Sequence, residues 1–525
     1  MTFPQRVLRT GFERAEAWLD RAFGPAWNPL HSLGALGFFY FWVVAISGIY
    51  LYIFFDTGTT AAYASLESIT RDQWYLGGVM RSLHRYASDG LALMAMVHLL
   101  REFAMDRLHG PRWFTWVTGV PILGLVIVSG ITGYWLVWDM LAQFIAVETT
   151  EWLDWLGIFG EPIARNFLSP ARLDDRFFSL MMFIHIAVPL ILLFLLWIHL
   201  QRVSRPRINP SRGLAVGTFL MLLALAFVHP AESQAPADLT RVPTLVGLDW
   251  FYLAAYPLME LWSDGAVWAF AVATGLMLFA LPWLPPRREP AAAVDLGNCN
   301  GCGRCAEDCP YNAVAMGLRT DGLPFLHQAV VDPDLCVSCG ICAGACPTGT
   351  PFRRGSDLVA GIDLPHRNLR DLRERVQAAS ARLTEGPRVI VFGCDSAAPV
   401  ARLEGPQVAA VSLPCIAALP PSFVDYVLSR DLAEGVFLTG CREGDCFNRF
   451  GIAWTEARLA GERDPRLRAR VPRERLRRRW AARSDLRRLD REIAAFREHL
   501  RDLPAAPAAP PASAAPAARQ DEAVS

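Results

Sequence analysis

The segments CNGCGRCAEDCP (residues 299–310) and CVSCGICAGACP (residues 336–347) repeat one cysteine spacing, C-x-x-C-x-x-C-x-x-x-C-P. Thiolates at this spacing hold iron–sulfur clusters, and the fourth cysteine of each segment binds the cluster of the other segment. The sequence therefore predicts two [4Fe–4S] clusters. The predicted ligands are Cys299, Cys302, Cys305 and Cys346 for the first cluster site, and Cys336, Cys339, Cys342 and Cys309 for the second cluster site. Zinc is the alternative for a single C-x-x-C pair, and two complete runs followed by proline favour clusters.

A strongly hydrophobic segment, residues 1–284, precedes these cysteines. Six apolar stretches in it are long enough to span a bilayer, so we predict an all-α bundle of six transmembrane helices. The predicted spans are residues 33–55, 77–100, 114–138, 177–200, 213–229 and 265–284. All cysteines lie after residue 298, which argues against an extracellular disulfide scaffold.

The distribution of charge predicts the orientation of this bundle. Arginines precede the first span and recur in the second and fourth loops and at Arg287 and Arg288, whereas the third loop is rich in aspartate and glutamate. Cytoplasmic loops of membrane proteins carry the excess of basic residues. We therefore expect a multi-pass protein of the bacterial inner membrane, with both termini and the cysteine-rich region in the cytoplasm.

Four histidines lie in two of the predicted spans. His84 and His98 lie in the second span, and His185 and His199 lie at the same spacing in the fourth. This spacing turns a helix through about 1400° and raises it by about 21 Å, so each pair shares one face and crosses most of the hydrocarbon core. We predict two haems, one held by His84 with His185 on the exterior side and one by His98 with His199 on the cytoplasmic side.

Two imidazole ligands leave no open position on a haem iron, which suits electron transfer. The alternative is that these histidines only form hydrogen bonds between helices. The identical spacing on two helices favours haem ligation.

Four glycines repeat the spacing of the histidine pairs on two other helices. Gly34 and Gly48 lie in the first span, and Gly119 and Gly133 lie in the third. A flat macrocycle between helices needs missing side chains at two levels. Ordinary close packing of helices is the alternative for these glycines.

Two arginines each lie three residues from a predicted haem ligand. Arg81 precedes His84, and Arg101 follows His98. A guanidinium at this position can pair with a haem propionate. The alternative is an arginine that extends its side chain to the membrane interface.

Residues 1–284 resemble cytochrome b of the respiratory and photosynthetic quinol–cytochrome c oxidoreductases. The residues that carry the resemblance are Gly34 and Gly48, R-S-L-H (81–84), H-L-L-R (98–101), Gly119 with Gly133-Tyr134, D-R-F-F (175–178), H-I-A-V-P (185–189) and His199. The resemblance implies a transmembrane di-haem domain over residues 1–286, a quinone as substrate, and a homodimer.

The chain departs from this family at two motifs of the exterior-side quinol site. The family has Pro-Glu-Trp-Tyr where this chain reads Leu248-Asp249-Trp250-Phe251-Tyr252, so Asp249 is the candidate quinone-site acid. The family has Pro-Trp-Gly after the third span, and this chain reads Val137-Trp138-Asp139. These departures leave open whether the chain has a quinone site of its own.

Four further cysteines follow the cysteine-rich region. Predicted strands cover Val389–Phe392, Val408–Leu413 and Gly435–Thr439, and the cysteines near their carboxyl ends are Cys394, Cys415, Cys441 and Cys446. Loops at the carboxyl ends of the strands of an α/β fold gather ligands, so this third site is predicted to hold a [2Fe–2S] cluster. A single zinc ion is the alternative.

Two further resemblances concern the same half of the chain. Residues 295–352 resemble bacterial two-cluster ferredoxins. Residues 387–455 resemble the delta subunit of methyl-viologen-reducing hydrogenase through G-C-R-E-G-D-C (440–446), although Asp395-Ser396-Ala397 stand where that family has additional cysteines. The second resemblance implies a [2Fe–2S] cluster and docking to a soluble flavoprotein, hydrogenase or dehydrogenase subunit.

The sequence thus predicts a multidomain chain. The expected parts are the transmembrane domain (1–286), an α+β ferredoxin module (287–355), a linker (356–386), a small α/β domain (387–455), a charged helical extension (456–503) and a disordered tail (504–525). The expected function is electron transfer between a cytoplasmic partner and the quinone pool. The alternative is a wiring and membrane-anchor subunit without a quinone site.

Other functions find no support in the sequence. No G-x-G-x-x-G follows a predicted strand and no Walker motif occurs, so neither a dinucleotide nor ATP is expected. The Arg-rich residues 465–488 are interleaved with aspartate and glutamate, which indicates a solvated surface rather than a nucleic-acid site.

Overall fold

The computed structural model of the protein describes residues 2–167, 173–201, 208–241, 243, 245–249, 252–284, 289–354 and 358–504. The chain divides into two compact units, Met1–Arg287 and Arg288–Ser525. Some residues named above lie outside the described residues, namely Trp250, Phe251, Arg287, Arg288 and the tail from residue 505 onward.

The first unit is helical. Its helices are α1 Phe3–Phe23, α2 Leu33–Phe54, α3 Ala62–Arg71, α4 Val79–Ala104, α5 Trp113–Val137, α6 Met140–Asp154, α7 Asp175–Gln201, α8 Arg212–Val228, α9 Tyr256–Leu261 and α10 Asp264–Ala280. A helix occupies each of the six predicted spans. Among the described residues, four segments are long and apolar enough to cross a membrane, namely Leu33–Phe54, Gly110–Val137, Asp175–Gln201 and Asp264–Trp283.

The two remaining predicted spans, α4 and α8, differ from these four segments. Helix α8 has 17 residues. Helix α4 has 26 residues, and its hydropathy is lowered by charged residues that include Arg85 and Asp89. Charged side chains within a bilayer are costly and face the bundle interior. The six-span bundle therefore stays a prediction.

The helices of the first unit pack in pairs around buried apolar side chains. Helix α4 packs along α2, and α5 packs along α7. Helix α7 is largely apolar, yet Phe183 and Leu190 on it are 67% and 63% exposed. An apolar helix that keeps one side exposed is typical of a helix in contact with lipid.

The second unit combines short strands and helices. Its strands are β1 Ala293–Val294, β2 Val314–Leu318, β3 His327–Val331, β4 Ile362–Asp363, β5 Val389–Cys394, β6 Val408–Leu413, β7 Gly435–Gly440 and β8 Leu476–Trp480. Its helices are α11 Arg304–Asp308, α12 Ile341–Ala345, α13 Leu369–Ala381, α14 Ser422–Ser429, α15 Gly451–Ala460 and α16 Leu486–Arg501. Strand β1 pairs with β4 and β2 with β3, both antiparallel.

The last four strands form one parallel sheet in the order β6-β5-β7-β8. Side chains alternate between its two faces because the strand period is two residues. Ile390 and Phe392 of β5 pack with α13 and α14 on one face, whereas Val389 and Val391 pack with α16 on the other. The predicted α/β pattern is confirmed, since β5, β6 and β7 begin at the predicted residues.

Two segments of the second unit differ from the prediction. Residues 356–386, predicted as a linker, contain β4 and α13, and Leu372 and Val376 of α13 are buried against the sheet. Residues 456–503, predicted as helical, contain β8. Strand β8 is a sheet edge with Arg477 and Arg478 exposed. Charged residues are common on edge strands, and arginine also favours helices, so the local sequence indicated the wrong element.

Candidate haem and iron–sulfur sites

His84 of α4 and His185 of α7 face each other in the first unit. Their ring centroids are 6.2 Å apart, and their planes cross at 63°. Two imidazole nitrogens in line with one metal ion, each about 2 Å from it, would leave the ring centroids about 6 Å apart. The observed spacing therefore fits a pair of axial haem ligands.

The second ring nitrogen of each of these histidines has a protein partner. Nδ1 of His84 donates to the Val44 carbonyl oxygen at 3.0 Å and lies 3.3 Å from Oγ of Ser47. Nδ1 of His185 lies 3.2 Å from Oγ1 of Thr132. Such bonds fix the tautomer and the ring orientation of metal-binding histidines. In His84 the bond to a carbonyl places the proton on Nδ1 and leaves the Nε2 lone pair for iron.

His98 and His199 form the corresponding pair at the other level. Nδ1 of His199 lies 2.9 Å from Oγ1 of Thr118. That hydroxyl donates to the Phe114 carbonyl oxygen at 2.9 Å, so it accepts a hydrogen bond from the N–H at His199 Nδ1. His98 lies close enough to His199 for the two rings to interact electrostatically. His199 thus has a threonine hydroxyl partner, as His185 does.

Each of the four predicted glycines faces one of the four histidine rings. The distances from a Cβ built on each glycine to the facing Cε1 are 2.9 Å for Gly48 and His84, 2.9 Å for Gly133 and His185, 3.8 Å for Gly34 and His98, and 3.6 Å for Gly119 and His199. A methyl group would thus collide with the ring at the His84–His185 level and make ordinary contact at the His98–His199 level. The structure brings the eight predicted residues together as two levels of four.

The two arginines beside the histidines have carboxylate partners within the protein. Arg81 bonds to Thr70 Oγ1 at 2.6 Å and Ser233 Oγ at 2.8 Å, and it lies 3.5 Å from Glu67. Nε of Arg101 donates to Glu16 at 2.8 Å. Pairing of either guanidinium with a haem propionate stays a prediction.

Asp249 lies in a cluster of charged side chains near the His84–His185 level. It accepts hydrogen bonds from Arg85 and, at 2.5 Å, from the Tyr134 hydroxyl. Arg85 also pairs with Asp89 and lies over the Tyr134 ring. The sequence analysis named Asp249 and missed Arg85 and Asp89. The sequence did contain a signal for these two residues, because they are opposite charges four residues apart on a helix that also carries histidines.

The Trp138-Asp139 motif has a structural role in this chain. Trp138 adopts a left-handed backbone with φ of 53°. Oδ1 of Asp139 accepts the Ala142 N–H at 2.9 Å and caps α6, and Oδ2 accepts the Gln234 N–H at 2.9 Å. The aspartate that departs from the resembled family thus supports a turn.

The predicted ligands of the first cluster site lie near one another, and their assignment to one cluster stays a prediction. Cys305 interacts with Cys346, Cys302 and Cys299. Burial, with a smaller contribution from these neighbours, raises the pKa of Cys305 to about 12. Metal binding to such thiols releases protons, because the ligand is the thiolate.

The second cluster site is similarly enclosed. Cys342 interacts with Cys339, Cys336 and Cys309, and also with Cys305 of the first cluster site. The Ala313 N–H donates to Sγ of Cys309 at 3.3 Å. Gly340, with φ of 74°, provides the left-handed turn between Cys339 and α12.

The third site lies at the carboxyl ends of three adjacent strands. Cys394 ends β5, Cys415 follows β6 by two residues and Cys441 follows β7 directly. Cys394 interacts with Cys415 and Cys441, and Cys441 interacts with Cys446. The Ile416 N–H donates to Sγ of Cys394 at 3.0 Å. The strand that follows β5 in sequence, β6, lies on one side of β5, and the next strand, β7, lies on its other side. Ligand sites form where the strand order of a parallel sheet changes direction in this way.

The third site is also tightly enclosed. A Cβ built on Gly451 would lie 2.4 Å from Sγ of Cys415 and 3.4 Å from Sγ of Cys446. All four of its cysteines are buried. Among the described residues, no group of three or more His, Cys, Asp or Glu side chains stands out as a site for a single metal ion.

Paired histidines in a helical unit and three cysteine sites in a second unit define a class, namely proteins that combine haem and iron–sulfur groups. Three family models match the chain and divide it accordingly. The model described as cytochrome b/b6/petB matches residues 20–205, the 4Fe–4S dicluster domain matches residues 294–350, and the delta subunit of methyl-viologen-reducing hydrogenase matches residues 389–504.

The chain is also similar to a curated protein and to a solved structure. Cytochrome b of Rhodospirillum rubrum is 25% identical over 298 residues, which cover 50% of this chain and 72% of the relative. A solved structure titled hyperthermophilic respiratory Complex III is 21% identical with a TM-score of 0.41, over 49% of this chain and 75% of that chain.

The chain is therefore a multi-pass membrane electron-transfer protein. It carries a cytochrome b/b6 domain, a 4Fe–4S dicluster domain and a hydrogenase-delta-like domain. Haem b and [4Fe–4S] clusters are the cofactors that these domains support. The third match extends to residue 504 and so includes β8 and α16.

Proposed function

We propose that the chain connects a cytoplasmic redox partner to the quinone pool. Two b haems, two [4Fe–4S] clusters and one [2Fe–2S] cluster would supply one-electron transfer when bound. The residues of the chain hold these groups, fix their spacing and exclude water from them. The observation that carries the proposal is the His84–His185 pair, with rings 6.2 Å apart and one glycine facing each ring.

The haem content of the purified protein tests this observation. A reduced-minus-oxidised spectrum with a haem assay is expected to show about two b haems per chain, as the two bis-imidazole levels require. His84→Ala should halve that content. His327→Ala is the matched control, because His327 is exposed on β3 of the other unit. A wild-type protein with one haem or none would refute the pairing.

The [2Fe–2S] cluster is assigned to Cys394, Cys415, Cys441 and Cys446. The support is their position at three adjacent strand ends and the contacts among their thiols. The likeness to a hydrogenase delta subunit adds docking to a soluble flavoprotein, hydrogenase or dehydrogenase subunit as the function of this domain. Co-purification of such a partner with the wild-type protein, and its loss when residues 389–504 are deleted, would test the docking.

The membrane arrangement follows from the charge pattern. We place six spans in a bacterial inner membrane, with both termini and the second unit in the cytoplasm and the cytochrome b domain in a homodimer. Arginine-rich loops on one side and acidic loops on the other support this orientation. Protease digestion of inverted and right-side-out vesicles should cleave the second unit only in the inverted ones, and crosslinking should give a dimer.

Quinone would bind near one haem level, with Asp249 as the candidate acid. A second candidate function is a wiring and membrane-anchor subunit without a quinone site, and one observation favours it. The Asp249 carboxylate is bound by Arg85 and Tyr134, so a quinol would have to displace these partners. Oxidation of a quinol analogue by the isolated chain would decide for the quinone site, and its absence for the second function.

A further inference from the structure

Arg458 of α15 is a buried cation that belongs to the hydrogenase-delta-like domain and reaches the dicluster domain. It is 1% exposed. Its Nη2 forms an ion pair with Asp308, and its Nη1 donates to the Ala417 carbonyl oxygen at 2.8 Å. Nη2 also donates to the Ile341 carbonyl oxygen at 3.4 Å.

Each acceptor of Arg458 lies close in sequence to a predicted cluster ligand. Asp308 precedes Cys309, and Ile341 lies between Cys339 and Cys342. Ala417 follows Cys415 by two residues. One guanidinium thus bonds to loops of the second cluster site and to the loop of the third site.

The second and third sites touch each other beside this guanidinium. Cys339 packs against a small core formed by Ile341, Cys415 and Ala417. The approach is close, because a Cβ built on Gly344 of α12 would lie 1.9 Å from the Ala417 oxygen and 2.9 Å from Nη1 of Arg458. Asp308 and Ile341 are directly next to Cys309 and Cys342 of the second cluster site, whereas Cys305 of the first cluster site lies three residues from Asp308.

The buried arginine can act in two ways, by stabilising the fold through its ion pair or by changing the reduction potentials of nearby groups. Substitution distinguishes the two. A buried ion pair contributes little net stability relative to apolar side chains of similar volume. Iron–sulfur potentials respond to net charge and to hydrogen bonds near the sulfurs. Only the second effect predicts a change in the reduction potentials of the bound groups.

We propose that Arg458 is a positioning residue that joins the second and third cysteine sites and makes the groups bound there easier to reduce. Each group takes up one electron from a reduced partner, and the buried positive charge stabilises the added negative charge. Contact through Cys339 and Cys415 makes the second cluster site, rather than the first, the neighbour of the third site. The proposal rests on the proposed function, which supplies the [2Fe–2S] group.

An EPR-monitored redox titration of the full-length protein in detergent tests the proposal, with dithionite as reductant. Arg458→Gln should shift the midpoint potentials of the second and third groups to more negative values, by about 59 mV for each tenfold change in a one-electron equilibrium. Arg458→Lys should keep them near the wild-type values, and Asp308→Asn should shift the second group to more positive values. The first group should not move in any variant.

Arg463 provides the matched control. It pairs with the same Asp308, and its side chain is 26% exposed and stacks on Trp454. Arg463→Gln should therefore shift the potentials less than Arg458→Gln. Unchanged potentials in Arg458→Gln and Asp308→Asn with full iron content would overturn the proposal, as would an equal shift of all three groups. Loss of iron in Arg458→Gln together with an unmoved Asp308→Asn would also overturn it.

The titration separates failure of the inference from failure of the proposed function. A wild-type protein without a third signal would refute the [2Fe–2S] assignment. The second group would then still report on Arg458, since none of its predicted ligands is shared with the third site. A third signal with normal potentials in every variant would refute only the role of Arg458.

Discussion

The two units hold their redox ligands in opposite ways. In the first unit the predicted ligands lie within long helices, and one glycine faces each histidine ring. In the second unit the ligands lie on loops and at strand ends, where their thiols contact one another. Binding of a haem in the first unit would therefore depend on the side chains that the glycines lack. Binding of a cluster in the second unit would depend on how closely the cysteines are packed.

The largest effect is expected from removal of a ligand in the first unit. His98→Ala should halve the b-haem content, because no other described side chain replaces its imidazole at that level. Iron and sulfide content of the cysteine sites should be unchanged, since those ligands belong to the other unit. Haem assay together with iron and sulfide analysis measures both. Full haem content in the variant would contradict the assignment of His98.

Removal of one ligand in the second unit should have a smaller effect. Cys441→Ser should abolish the EPR signal of the third site and leave the [4Fe–4S] signals, because Cys441 contacts Cys394 and Cys446 but no cysteine of the other two sites in the described interactions. Glu443→Gln, in the same loop and exposed, is the control and should retain all signals. A third signal that persists in Cys441→Ser would assign it to other ligands.

Adding a methyl group at each of the four glycines should distinguish the two levels of the first unit. Gly48→Ala and Gly133→Ala should lower haem content more than Gly34→Ala and Gly119→Ala. The built Cβ lies 2.9 Å from the ring at the first two positions and 3.6–3.8 Å from it at the other two. Haem content and the position of the reduced absorption band measure the difference. Equal losses of haem in all four variants would show that the added methyl group disturbs the macrocycle rather than the imidazole ring.

The smallest effect should come from overpacking in the second unit. Gly344→Ala should destabilise that unit by about 1–3 kcal/mol, because the added methyl meets the Ala417 carbonyl oxygen. Gly405→Ala is the control, since a Cβ there meets no atom within 4 Å. The temperature at which the cluster absorbance is lost should fall in Gly344→Ala and stay unchanged in Gly405→Ala. An unchanged temperature in both would mean that α12 moves to accept the methyl group.

Local patterns predicted much of the fold. Apolar runs placed helices at all six predicted spans, and strand-like runs placed β5, β6 and β7. The prediction missed β8 and α13. A charged edge strand such as β8 has no apolar alternation of its own. Helix α13 is recognised by its burial against a sheet whose strands all follow it in the sequence.

Spacing along the chain by itself was enough to predict the ligand sets. Helical geometry puts the two histidines of each span on one face, and the repeated cysteine run specifies which sulfurs share a cluster. Neither pattern requires knowledge of distant residues.

Only the tertiary structure decided what surrounds these ligands. Asp249 is bound by Arg85, 164 residues away in sequence, and Arg458 bonds to Asp308, 150 residues away. Such pairs follow from how helices and domains pack, and no local periodicity encodes them. The predicted ligands of this protein could therefore be named from its sequence, whereas the charges that lie near them became visible only when distant segments were brought together.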